Sequence, residues 1–230
     1  MYWFSLDNER CDHKGIIVDK RTGESAPTRK VQTASSNYTD GAFVTQFDTF
    51  ETVEKSFDCN FVEEDYTQWH EHWRAVKRWL LKDHDKLRYS DDPGIYRKIL
   101  NTTLSASERE VQETGNFTVT FLLEPYEYYD KGAHPLSVKD VQYNIYNISH
   151  PTYIITGTNK TVLTVNGKAF TVWAQNRTCY IDTDLRLVYD ANKNKLSSEG
   201  DFTDLYLLEG KNTISLSSGN LKVVPNWRSL

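Results

Sequence analysis

Cysteine is scarce in this chain of 230 residues: Cys11, Cys59 and Cys179 are odd in number, far apart and form no CxxC pair. That excludes a disulfide framework, a zinc knuckle and a dithiol redox centre, and leaves three buried or incidental thiols. Long apolar runs are missing too, since no stretch approaches the roughly 20 apolar residues a helix needs to cross a bilayer. The first residues, MYWFSLDNERCDHKG, carry charges where a secretory signal has its apolar core, so the expectation is a soluble chain made in a cytoplasm. Basic clusters are absent as well. Lys and Arg number 27 against 32 Asp and Glu, the net charge is −5, and the cations are dispersed, which removes the electrostatic footprint of a nucleic-acid binder. Nor is there a GxSxG elbow, a phosphate-binding P-loop or a GxGxxG turn. With no nucleophile and base to name, an enzyme is the less expected class, and no cofactor or metal is implied.

What is present suffices for packed cores: 38% of residues are hydrophobic and 13% aromatic, against 26% charged. A length of 230 residues permits two moderate domains. Six N-x-S/T sequons begin at Asn37, Asn101, Asn116, Asn147, Asn159 and Asn176. Without a signal they do not indicate glycosylation, and Asn116 opens a strand, NFTVTFLL, where a glycan would compete with pairing.

The first eighteen residues place Trp3, Phe4, Ile16, Ile17 and Val18 around a polar turn, as a terminal hairpin would. Residues 22–41 are rich in Pro, Ser, Thr and Gly and too polar for a core element, so they read as a loop or an arm. In KSFDCNFVE, Phe57, Cys59 and Phe61 alternate with polar residues at the period of a half-buried strand. A helix follows. Trp69, Trp73, Val76 and Leu80 stand at i, i+4, i+7 and i+11, which is one stripe, and Asp65 is placed to cap its start. Asp92-Pro93-Gly94 is a turn. Phe117, Val119, Phe121 and Leu123 then alternate along a long strand whose second face is also partly apolar, a face that a neighbouring subunit could cover. Periodicity breaks between Pro125 and Asp140, so the boundary is set near residue 130, giving domains 1–130 and 131–230. Beyond it come short strands and no convincing helix, the pattern of an all-β sandwich or barrel. TVLTVNGKAFTV is a hairpin around Asn166-Gly167.

Three groups invite a chemical reading. His70 and His72 flank Glu71, with His84 further on, but i and i+2 on a helix point about 200° apart, which is wrong for a shared metal. Asp182 and Asp184, or Asp91 and Asp92, resemble the carboxylate pairs of glycoside hydrolysis, although acidic pairs beside turns usually serve local hydrogen bonds. Trp173, Tyr180, Tyr189, Tyr206 and Trp227 are candidates for a sugar platform, with Trp173 and Trp227 foremost, yet aromatics of a β-sandwich are more often core.

The order of motifs resembles the distal tail protein (Dit) family of phages with long non-contractile tails. In the first domain the likeness runs through the terminal hairpin, the arm SAPTRKVQTASSNYTDGAF, the helix ending WLL, KLRYSDDPGIYRKIL and FTVTFLLEPYEYY. In the second it runs through TGTNKTVLTVNGKAFTV, YIDTDLRLVYDANKNK, LLEGKNTISLSSGN and PNWRSL. The arm departs from the family's Pro-Gly-acidic-Gly turn, having Asn37 to Gly41 (NYTDG) instead. The resemblance implies a mainly β chain with one principal helix. A ring-forming α+β hub, a β-sandwich or split barrel with a helix, would precede a galectin-like β-sandwich. It implies a homohexameric ring at the distal end of the tail, assembled in the host cytoplasm. Its partners would be the tail tube, tape measure and tail-associated proteins and peripheral receptor-binding proteins. DNA would only pass through, and no membrane is involved. Under it, Arg29, Tyr38, Asp40 and Gly41 belong to the arm and Phe117, Val119, Phe121 and Leu123 to the ring contact. The alternative is a carbohydrate-binding module or adhesin recognising host surface saccharide.

Overall fold

The computed structural model describes residues 2–23, 25–35, 40–108 and 113–230. The chain is mainly β with one α-helix. It divides into two compact units, Met1–Glu127 with Leu230, and Tyr128–Ser229.

In the first unit β1 (Phe4–Leu6) and β2 (Glu9–Arg10) form a hairpin. Its turn residues Asp7 and Asn8 both have positive φ, 48° and 75°, as a two-residue primed turn demands. Then come β3 (Ile17–Arg21), β4 (Arg29–Ser35), β5 (Ala42–Phe50), β6 (Val53–Val62) and α1 (Trp69–Leu80). β7 (Lys86–Tyr89), β8 (Ile95–Leu104) and β9 (Thr114–Tyr129) follow. One sheet has the order β2-β1-β7-β8-β9-β6-β3. β3 therefore leaves the terminal hairpin and pairs with β6.

α1 lays Trp69, Trp73, Val76, Trp79 and Leu80 onto that sheet, all at most 9% exposed. Their counterparts are the inward residues of β6 and β9, Phe57, Cys59, Phe61, Phe117, Val119, Phe121 and Leu123. Phe61 and Trp73 stack at 5.9 Å between ring centroids, and Trp73 meets Phe117 at 5.0 Å. Two expectations are corrected here. Asp65 does not cap α1: the helix starts after Gln68, which makes no side-chain cap, and the Asp65 carboxylate accepts from the N–H and hydroxyl of Thr67 in the preceding turn. Phe117, Val119, Phe121 and Leu123 are not available to a neighbour, because they are 0–4% exposed and already fill the core. β9 also sits between β8 and β6, so it has no open edge.

The second unit contains two four-stranded sheets and a two-stranded ribbon. Its strands are β10 (Tyr143–Asn144), β11 (Thr152–Thr156), β12 (Thr161–Val165), β13 (Lys168–Val172), β14 (Cys179–Asp182), β15 (Leu187–Asp190) and β16 (Ser198–Glu199). β17 (Gly210–Lys211), β18 (Ile214–Leu216), β19 (Asn220–Val224) and β20 (Arg228–Ser229) complete it. The sheets run β15-β14-β11-β19 and β16-β13-β12-β18, with β10 paired to β17. Alternate residues such as Tyr153, Ile155, Leu163, Phe170, Ile181 and Val223 meet in a second core at 0–1% exposure. β12 and β13 are joined at Asn166-Gly167, whose φ angles of 50° and 80° are those of a primed hairpin turn.

Candidate assembly interface

Residues 22–41 contain more than a loop or arm of irregular chain. β4 and β5 pair as a separate two-stranded ribbon that joins no other sheet among the described residues. Every residue from Arg29 to Thr49 in these two strands is exposed. The register puts Val31 opposite Gln46 and Thr33 opposite Val44, so Val31 and Val44 share one face. Ala34 lies opposite Phe43, which puts Phe43 and Phe47 on the other face. The exposures are 52% for Val31, 57% for Val44, 65% for Phe43 and 44% for Phe47.

A ribbon that presents apolar side chains on both faces has no core to bury either. Two-stranded hairpins are marginal alone in water. At its base Phe50 meets Tyr126 edge-on at 6.2 Å, and the Arg29 guanidinium lies 5.5 Å from the Phe50 ring while pairing with Asp48 at 3.1 Å. Of the candidate arm residues, Arg29 is thus at the base, Asp40 and Gly41 precede β5, and Gly41 has φ 89°. Tyr38 lies outside the described residues. Sequence reasoning passed over Val31, Phe43, Val44 and Phe47; the one available signal was apolar residues set singly among polar ones in KVQTAS and AFVTQFDTF.

A cavity of about 340 Å³ beside the ribbon base is lined by Pro27, Val53, Lys55, Tyr89, Arg97 and Tyr126, among others. Its two buried cations are matched within the unit. Lys55 Nζ donates to Thr22 O at 2.8 Å, while Arg97 stacks 4.2 Å over Tyr89 and pairs with Asp92 and Glu127.

The other candidate groups are held in local structure. His72 Nδ1 lies 2.9 Å from Glu63 and its ring packs on Phe61, whereas His70 stands edge-on to Trp69. His84 is a packing node, with Nδ1 on Asp7 at 3.0 Å and Nε2 on Trp79 O at 2.8 Å. Asp182 accepts from the backbone of Asp184 and Leu185, and Asp184 pairs with His150 at 2.9 Å. Asp91 pairs with Arg21, and Asp92 with Arg97. Trp173 follows β13 and lies under Lys160 Nζ at 4.9 Å, whereas Trp227 packs against the second core beside Tyr146. The two tryptophans flank strands of different sheets and are both half-buried. Burial pushes the thiols of Cys11 and Cys179 up to about 11 and about 12, which suits inert core residues.

No family model matches this chain, and no curated protein matches it. Among solved structures it is similar to the Dit protein (gp 19.1) of phage SPP1, described as a paradigm of the hub adsorption apparatus in phages infecting Gram-positive bacteria. The TM-score is 0.69 at 13% sequence identity, with 100% of this chain and 98% of that one covered. The likeness establishes a Dit-like fold over the whole chain.

Proposed function

We propose that this chain is a structural, non-enzymatic component of a phage tail, a hub subunit that closes into a homohexameric ring at the distal end. The observation that carries the reading is the β4–β5 ribbon, apolar and exposed on both faces, in a chain whose fold is like that of a phage hub protein. A head-to-tail cyclic assembly needs two different surfaces per subunit, and a ribbon reaching onto the next copy supplies one of them. The ring would join the tail tube to the tail-associated protein, next to the tape measure protein, while the second unit would carry receptor-binding or other peripheral proteins. Residues 1–127 hold 23 acidic against 16 basic side chains, a balance that suits a channel through which DNA slides without adhering.

Native mass spectrometry with electron micrographs of the purified chain tests this. Six-subunit rings are expected. A strict monomer at high concentration, with no rings in the images, would overturn it.

A further inference from the structure

Asn166 is the only asparagine of the chain that is followed by glycine. In that dipeptide no side chain stands between the second residue's nitrogen and the amide carbon of the first, so the backbone can attack the side chain. The pair forms the turn between β12 and β13, with φ angles of 50° and 80°. Gly167 is exposed, and a Cβ built on it would meet nothing within 4 Å, so water has access to the turn.

The Asn166 amide is held away from its own backbone. Its Nδ2 donates to Asn212 Oδ1 at 2.8 Å, and its Oδ1 accepts from the Thr213 N–H at 2.9 Å. The Asn166 N–H donates to Thr213 O at 2.8 Å, so three bonds clasp the turn to the segment between β17 and β18. The far side of the clasp is fixed. Asn212 is 1% exposed; its Oδ1 also accepts from the Leu208 N–H, and its Nδ2 donates to Leu208 O and Gly210 O. Flipping that amide would set its oxygen against two carbonyls, so the side chain opposite must be a donor. An amide at position 166 supplies the donor, and a carboxylate does not.

We propose that Asn166 is a site of spontaneous deamidation kept dormant by the Asn212 and Thr213 clasp, and that its conversion unlatches the β12–β13 turn. The Gly167 nitrogen attacks Asn166 Cγ: a C–N bond forms, the bond from Cγ to Nδ2 breaks, and Nδ2 leaves as ammonia with the proton given up by Gly167. Water then opens the five-membered imide to aspartate or isoaspartate. Ring closure turns Cγ toward the backbone, so both side-chain bonds of the clasp must break first. The product carboxylate sets an acceptor against Asn212 Oδ1, and the clasp does not re-form. The assignment goes beyond the hub reading and does not depend on ring formation.

Peptide mapping by mass spectrometry, on the full chain kept at mildly alkaline pH, reads the conversion. A free peptide of residues 161–172 should convert at least about tenfold faster than the folded chain, because it lacks both side-chain bonds. Asn212→Ala removes the acceptor for Asn166 Nδ2 and should speed conversion at least about fivefold. Asn212→Asp keeps that acceptor while losing the two donations to Leu208 O and Gly210 O, so it should lower the melting point without speeding conversion. Equal acceleration in both variants would trace the effect to general loosening and overturn the proposal, as would no acceleration in Asn212→Ala or equal rates in peptide and chain. Asn166→Asp tests the unlatching apart from the Asn212 variants: it should melt below the wild type, and an unchanged melting point would overturn that part even if those variants fail to fold.

Discussion

Replacing Phe43 by Ser separates assembly from folding. Phe43 is 65% exposed in the single chain and lies opposite Ala34 on the ribbon, so its loss removes almost nothing from the subunit itself. Surface changes of this kind stay within about 0.5 kcal/mol. In a ring that covers the ribbon, the exposed part of a phenylalanine, about 65% of ~200 Å², is buried at every interface. At about 25 cal/mol per Å² that burial contributes at most ~3 kcal/mol per interface. One decade of affinity corresponds to ~1.4 kcal/mol, so the concentration needed for assembly should rise by about 100-fold. Phe47 shares the face at 44% exposure and predicts a smaller rise, near 30-fold on the same reasoning. Mass photometry across a dilution series reads assembly, and differential scanning fluorimetry reads the subunit. An unchanged assembly curve for Phe43→Ser with an unchanged melting point would refute the ribbon as the intersubunit element. A lowered melting point with normal assembly would show that the ribbon packs on its own subunit instead.

Three further outcomes follow from the two cores. Trp73→Ala removes a ring wedged against Phe61 and Phe117 and should destabilise the first unit by about 3–5 kcal/mol in urea unfolding. Gly219 has φ 94°, and an added Cβ would lie 2.6 Å from Thr156 O, so Gly219→Ala should lower stability by at least about 1–2 kcal/mol through the β18–β19 turn. For Asp190, burial raises the carboxyl pKa, but hydrogen bonds from Asn194, Asn192 and Arg177 outweigh it and hold the group below its ordinary range. Stability from this depressed group is fully present above the unfolded value near ~3.9 and is lost as pH falls through the folded one. The melting point of the wild type should therefore drop more steeply below about pH 4 than that of Asp190→Asn, and parallel curves would contradict the assignment.

Elements with unequal faces were legible before any coordinates. The α1 stripe could be read because Trp69, Trp73, Val76 and Leu80 face a core while Glu71, Arg74 and Lys82 face water, and a 3.6-residue period survives in the letters. β6 and the Asn166-Gly167 hairpin were legible for related reasons, one through a period of two, the other through residues that tolerate positive φ. β9 was legible only in part. Its alternation is clear from Phe117 to Leu123, yet the strand continues through Pro125 to Tyr129, where Pro, Tyr and Glu look like a break. The division between units falls inside this strand, between Glu127 and Tyr128, without the loop that composition leads one to expect.

The ribbon was the least legible element, and the reason is physical. Period-two alternation arises only when one face of a strand meets apolar packing and the other meets water. In β4 and β5 both faces meet water in the single chain, and apolar residues occur on both, so polar and apolar letters mix without a period. Tyr143, Ile145, Ile148 and Leu208 are likewise apolar residues that meet water in the single chain. A segment whose two faces both meet water lacks the asymmetry that patterning depends on, and so reads as a loop. This also explains the misplaced ring contact: Phe117, Val119, Phe121 and Leu123 carried the sharp alternation because their packing partners lie in their own unit. Sharp periodicity in this chain marks surfaces already satisfied, and the search for contacts between molecules belongs where apolar residues are present but unordered.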